Sequence, residues 1–227
     1  MPTGSTETIE EKIFDFAYNM ALLDSTRRTK AAGLKSQIAQ LTGIRDAIKT
    51  YAGYYYLGKG NKEYAGSFDK CVEKIQEIKV GGPFTFGNIQ KLINMTMKYL
   101  YIRYYGCNGV RERCKDCHAP MDSIMMTFIY ESYYVLHRTD SSNKKNGIAP
   151  PGFKREGWSN LLDDTEYKCF QCKIQWIIKE RKLQMNPIEF DYCFWDAARN
   201  VKYDESGKER RVGDRIAEVK KIWGNNN

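Results

Sequence analysis

A primary amine and a carboxylate stand near two expected helix starts and are the residues best suited to chemistry in this chain. Lys91 follows Gly87 in the sequence, and Asp122 follows Pro120. An amine can attack an electrophilic carbon to form a Schiff base, and a carboxylate can stabilise a positive charge or accept a proton. Since both groups lie at helix starts, we expect them to converge on one reacting carbon.

Three features between Phe84 and Met126 carry a resemblance to a known family. Gln90 and Lys91 open an apolar helix that holds a second lysine, Lys98, and the later segment reads Ala119-Pro120-Met121-Asp122. The two candidate residues are 31 positions apart. This pattern resembles the helix-hairpin-helix DNA glycosylases, particularly the archaeal 8-oxoguanine glycosylase branch. Most members have Leu-Pro-Gly-Val-Gly-x-Lys at the hairpin, whereas this chain keeps one glycine there, Gly87.

The resemblance implies a DNA glycosylase with AP lyase activity. Its substrate would be double-stranded DNA containing 8-oxoguanine, or a hypermodified base in foreign DNA. Lys91 would attack C1′ of the deoxyribose, and Asp122 would support the cationic sugar. The resemblance implies a monomer that needs no metal ion and no organic cofactor.

Further residues are candidates for contact with DNA. Amide groups at a helix start bind phosphate well, so we expect Gly87, Asn88 and Ile89 to contact the DNA backbone. Tryptophan rings can hold a base that has been turned out of the stack. We therefore expect Trp158 and Trp195 to line the base pocket. The basic side chains expected to contact phosphates are Lys98, Arg111, Arg113, Lys144 and Lys145.

Composition agrees with a polyanionic partner. The 227 residues carry a formal net charge of +8, and basic side chains gain free energy when they release counterions from phosphates. The 16 Tyr, 10 Phe and 4 Trp residues exclude a disordered chain. The seven cysteines are odd in number, and no apolar run approaches the roughly 20 residues that cross a bilayer. We expect a reduced cytoplasmic protein that does not contact a membrane.

Apolar residues recur at helical spacing throughout the chain, which predicts an all-α fold of about eight helices. We expect one domain, residues 1–227, built as a two-subdomain helical bundle with a cleft. Residues 84–137 would form the helix-hairpin-helix segment beside the cleft, and the N-terminal and C-terminal helices would pack together as the other subdomain. The clearest helix signals are the Thr8/Glu11 capping box, the segments 29–56, 87–105, 120–136 and 210–223, and Asn186-Pro187.

Two other interpretations remain open. Cys114 and Cys117 could form a zinc site with Cys169 and Cys172, because each pair has the Cys-x-x-Cys spacing. The protein would then be a non-enzymatic module that binds zinc and nucleic acid. Alternatively, Arg113 and His118 form the Arg-x4-His motif of HEPN-type ribonucleases.

Overall fold

The computed structural model describes residues 8–27, 33–82, 84–139 and 157–224. In these residues the secondary structure is helical apart from one isolated bridge, so the predicted all-α class is confirmed. Not one of the described helices combines the length and apolar composition needed to cross a bilayer. The helices are α1 (Ile9–Thr26), α2 (Leu34–Gln40), α3 (Thr42–Leu57), α4 (Phe68–Gln76), α5 (Phe86–Tyr104), α6 (Val110–Arg113), α7 (Ser123–Thr139), α8 (Thr165–Glu180), α9 (Pro187–Lys202) and α10 (Val212–Trp223).

The helices group into two compact units that follow chain order. The N-terminal unit is residues 1–117 and contains α1 to α6, and the C-terminal unit is residues 118–227 and contains α7 to α10. The expected packing of the N-terminal helices with the C-terminal helices stays a prediction. Within the N-terminal unit α1 packs against α5, and within the C-terminal unit α10 packs against α7 and α9.

In the N-terminal unit, α1 begins at the predicted capping box. The Thr8 hydroxyl accepts a hydrogen bond from the Glu11 amide at 3.3 Å, and the Glu11 carboxylate accepts one from the Thr8 amide. At its other end α1 is joined to α5 by two side chains. Asn88 donates to the Ser25 carbonyl at 2.9 Å, and the Tyr99 hydroxyl donates to Asp24 at 2.5 Å. The end of α1 is thereby fixed against α5.

The predicted helix over residues 29–56 is two helices, α2 and α3, and its first residues lie outside the described part of the chain. The break is at Leu41, whose backbone is not helical. The turn allows both helices to bury their apolar residues, such as Ile38 in α2 and Ile48 in α3. On the side facing α1, α3 forms ion pairs from Arg45 to Asp15 and from Lys49 to Glu11.

Aromatic rings form the centre of the C-terminal unit. Phe128 of α7 stacks with Phe190 and Phe194 of α9 at centroid distances of 6.2 and 5.9 Å. Trp223 of α10 stacks on the same ring at 5.8 Å. Such ring pairs add to the free energy gained from burying their surface. This cluster holds three of the four described helices of the unit together.

A buried ion pair fixes α10 to α7. The Arg215 guanidinium donates to the Glu131 carboxylate at 2.7 Å, and the two side chains are 12% and 4% exposed. One residue further along α7, the Ser132 hydroxyl accepts a hydrogen bond from the Trp223 indole at 2.9 Å. Loss of the cation would leave the Glu131 carboxylate in a site with little access to water.

We predict that Arg215→Met lowers the free energy of unfolding by about 3 kcal/mol, because a buried carboxylate loses its cation. Chemical denaturation followed by circular dichroism measures this. The matched control is Arg211→Met, which removes an exposed ion pair with Asp214. Exposed pairs contribute little, so this variant should unfold like the wild type. Equal destabilisation by both variants would contradict the assignment.

Candidate functional site

Among the described helices of the N-terminal unit, Lys91 lies on the most enclosed one. Every residue of α5 from Phe86 to Met97 is buried, including polar side chains on all sides of the helix. Lys91 itself is only 5% exposed, whereas Lys98 is half-buried. Lysine is almost never buried unless it is paired with another group. The burial of Lys91 therefore sets it apart from an ordinary surface lysine.

Two amides in the first turn of α5 are hydrogen-bonded to Thr85, the residue that caps the helix. The Asn88 amide donates to the Thr85 hydroxyl at 3.2 Å, and the Ile89 amide donates to the Thr85 carbonyl at 3.1 Å. Gly87 is buried together with them. Threonine is a preferred cap residue because its hydroxyl satisfies such amides. Contrary to the expectation, the amides of Asn88 and Ile89 are bonded to Thr85 and are not presented to phosphate.

In the C-terminal unit, Asp122 directly precedes α7 and caps it. One oxygen of its carboxylate accepts hydrogen bonds from the amides of Ile124 and Met125, both at 2.9 Å. Backbone amides and the helix dipole stabilise an ionised carboxylate at this position. The Asp122 residue is half-buried, and the two amides hold its carboxylate in place.

The segment that leads to Asp122 is held by two side chains that the sequence did not single out. Gln171 of α8 accepts from the Ala119 amide at 3.1 Å and donates to the Ala119 carbonyl at 2.7 Å. Lys202 of α9 donates to the Ser123 carbonyl at 3.0 Å. Both side chains are buried. In the sequence, these two residues differ from their buried neighbours only in being polar.

The expected basic contacts differ in their surroundings. Arg111 is exposed on α6. Arg113, on the same helix, donates through its guanidinium to the carbonyls of Tyr55 and Tyr56 at 2.7 and 3.5 Å. A cation near the last carbonyls of a helix is stabilised there, so Arg113 caps α3 and is removed from the expected phosphate contacts. Lys144 and Lys145 lie outside the described residues.

The two tryptophans expected in a base pocket are not equivalent. Trp158 lies in a 3₁₀ turn, Trp158–Asn160, and its side chain is buried in the C-terminal unit. Trp195 is half-buried on α9. Because a ring that stacks on a base must present an accessible face, Trp195 fits the expectation better than Trp158.

The cysteine pairs have contrasting environments. Cys114 and Cys117 are fully buried, whereas Cys169 and Cys172 are exposed on α8. Burial, together with the neighbouring Cys114, raises the pKa of the Cys117 thiol well above its ordinary value. Within the described part of the chain, no group of three or more His, Cys, Asp or Glu side chains is placed to hold a metal ion.

The Arg-x4-His motif does not lie on one helix. Arg113 is the last residue of α6, and the 3₁₀ turn Cys114–Asp116 follows it. His118 lies beyond that turn, and its Nδ1 is 2.7 Å from the Tyr167 hydroxyl. The ribonuclease interpretation stays a prediction, with Arg113 hydrogen-bonded to α3.

We predict that four of the seven thiols react rapidly with a disulfide reagent in the native protein and that all seven react in guanidinium chloride. The fast group is Cys107, Cys169, Cys172 and Cys193, because these thiols are exposed and accessible to the reagent. Burial raises the pKa of Cys71 to about 12, so it should react slowly. If Cys169 and Cys172 react only after a chelator is added, they bind a metal ion.

The two candidate catalytic residues thus belong to different units, Lys91 to the N-terminal one and Asp122 to the C-terminal one. Lys91 lies near the start of α5, and Asp122 caps the start of α7. Comparison with protein-family models, with curated proteins and with solved structures gave no match to this chain.

Proposed function

We propose that this protein is a DNA glycosylase with AP lyase activity that removes a damaged or modified base from double-stranded DNA. The observation that carries the proposal is the burial of the Lys91 residue near the start of α5. Lysines in desolvated sites serve as nucleophiles in enzymes that form Schiff bases. The match in order and spacing of Lys91 and Asp122 to the glycosylase pattern supports the same function.

In this proposal Lys91 Nζ attacks C1′ of the deoxyribose and the glycosidic bond breaks. The base leaves with the bonding electron pair and gains a proton, while the amine loses one to the Asp122 carboxylate. The bond from C1′ to the ring oxygen then opens, that oxygen takes a proton, and a Schiff base to Lys91 results. Hydrolysis returns the amine. In the lyase reaction, elimination of a C2′ proton and the 3′ phosphate breaks the strand before this hydrolysis takes place.

In this proposal Asp122 stabilises the positive charge of the reacting sugar. Positive charge develops at C1′ as the base departs, and an ionised carboxylate held in place stabilises it without first reorganising. The two amide donors at Ile124 and Met125 hold the carboxylate in place. A partly exposed carboxylate can also pass protons to and from solvent.

The substrate we propose is a duplex containing 8-oxoguanine or a hypermodified base. The net charge of +8 favours a polyanion, and Arg111 and Lys98 are the described candidates for phosphate contact. Trp195 is the proposed wall of the base pocket. A base must leave the stack at a cost of a few kcal/mol to reach such a pocket. We propose that the protein acts as a monomer.

We predict that borohydride traps a covalent adduct between the protein and a duplex with an aldehydic abasic site. This substrate tests the amine without requiring knowledge of the base. The adduct should vanish in Lys91→Gln and persist in the matched control Lys98→Gln, because only the buried amine is the nucleophile. Denaturing gel electrophoresis measures both, and peptide mapping locates the modified lysine. An adduct that depends on Lys98 would reassign the nucleophile.

A panel of duplexes then identifies the base. Wild-type protein is incubated with DNA carrying 8-oxoguanine, a hypermodified pyrimidine or only ordinary bases, and the released base is measured by mass spectrometry. We expect release from a modified duplex and none from the unmodified one. If the protein is trapped on the abasic duplex but releases no base from any duplex, it has lyase activity only. That outcome would contradict the glycosylase part of the proposal.

We predict that Asp122→Asn slows base release at least about 100-fold, as expected when a positioned acid-base group is lost. Asparagine caps helices about as well as aspartate, so the melting temperature should stay unchanged. The Kd for duplex DNA should change less than about twofold, because the chemistry is affected and not the binding. The comparison variant Asp122→Ala also loses the cap and should be less stable by about 1 kcal/mol. Full activity in Asp122→Asn would rule out the carboxylate.

A further inference from the structure

The residues that precede Asp122 are buried without forming a helix. Ala119, Pro120 and Met121 are buried, and α7 begins only at Ser123. Buried backbone groups outside regular structure need hydrogen-bond partners from elsewhere. Those partners determine where this segment lies.

Gln171 supplies both partners at Ala119. Its carboxamide accepts from the amide at 3.1 Å and donates to the carbonyl at 2.7 Å, so it pairs with Ala119 as a neighbouring strand would. The Gln171 side chain is 5% exposed. Two bonds from one planar group fix both the position and the orientation of the Ala119 backbone.

Lys202 holds the segment on the far side of Asp122. Its ammonium donates to the Ser123 carbonyl at 3.0 Å, and the residue is 7% exposed. Asp122 therefore lies between two backbone positions, Ala119 and Ser123, that buried side chains of α8 and α9 restrain. The carboxylate itself is bonded to the amides of Ile124 and Met125.

We propose that Gln171 is a positioning residue for the Asp122 carboxylate and acts through the Ala119 backbone, with Lys202 as the second restraint. The catalytic consequence of this inference rests on the proposed function. A displacement of about 1 Å at a reacting group can reduce a rate about 100-fold. The two restraints set the location of Asp122 before DNA binds.

The first test is hydrogen exchange of the full chain without DNA, followed by mass spectrometry. In Gln171→Met the amides of Ala119, Ile124 and Met125 should exchange at least about tenfold faster, because the segment and its cap are released. Peptides from α9 should exchange as in the wild type. The matched control is Gln175→Met, an exposed glutamine on the same helix, which should change none of these amides.

The second test measures the rate of adduct formation with the abasic duplex. Gln171→Met should lower this rate at least about tenfold and leave the Kd for DNA within about twofold. Lys202→Met should act in the same direction. Gln175→Met should react like the wild type.

The variant Gln171→Glu adds a pH readout that a general loss of stability would not produce. A protonated carboxyl can donate to the Ala119 carbonyl and accept from its amide, as the carboxamide does, whereas the ionised form cannot donate. Burial raises the pKa of the introduced carboxyl above its ordinary value of about 4.3. The rate relative to wild type should therefore rise as the pH falls through that pKa.

The outcomes separate this inference from the proposed function. Unchanged exchange at Ile124 and Met125 in Gln171→Met overturns the positioning role whatever the activity. Faster exchange together with an unaltered rate of adduct formation overturns it as well. If wild-type protein forms no adduct, the glycosylase function fails, and the exchange of these amides alone decides whether Gln171 positions Asp122.

Discussion

Hydrogen bonding of buried polar groups is the constraint on which both units depend. Burial of an unsatisfied amide or carbonyl costs about 1 to 3 kcal/mol, so each enclosed polar group needs a partner. In the N-terminal unit, Asn88 bonds to the end of α1, and Arg113 bonds to the last carbonyls of α3. In the C-terminal unit, Gln171 does the same for Ala119. These bonds specify where helix ends lie, which apolar packing alone does not.

The parts of the fold that local chemistry determines were predictable from the sequence. The box of Thr8 and Glu11 begins α1, and Asn186 with Pro187 begins α9, because cap residues act on amides only a few positions away. The break at Leu41 was not predictable. The apolar pattern continues through it, and the turn is set by packing against α1 and α5, which the spacing of residues does not encode.

The candidate site divides in the same way. Asp122 at the start of α7 was expected, since proline and aspartate before an apolar run are local signals. The burial of Lys91 was not, because α5 is enclosed on its polar as well as its apolar sides and helical periodicity places polar residues in solvent. Gln171 went unnoticed because its partner, Ala119, is 52 residues away. The cap that Arg113 forms on α3 went unnoticed for the same reason, because the Tyr55 carbonyl is 58 residues away.

The break at Leu41 also sets the dimensions of the N-terminal unit. An uninterrupted helix from Leu34 to Leu57 would be about 36 Å long, whereas α3 alone spans about 24 Å. That length is close to the roughly 27 Å of α1 and 28 Å of α5. Both α1 and α3 pack against α5 and are nearly as long as it is, whereas a helix of about 36 Å would project beyond it.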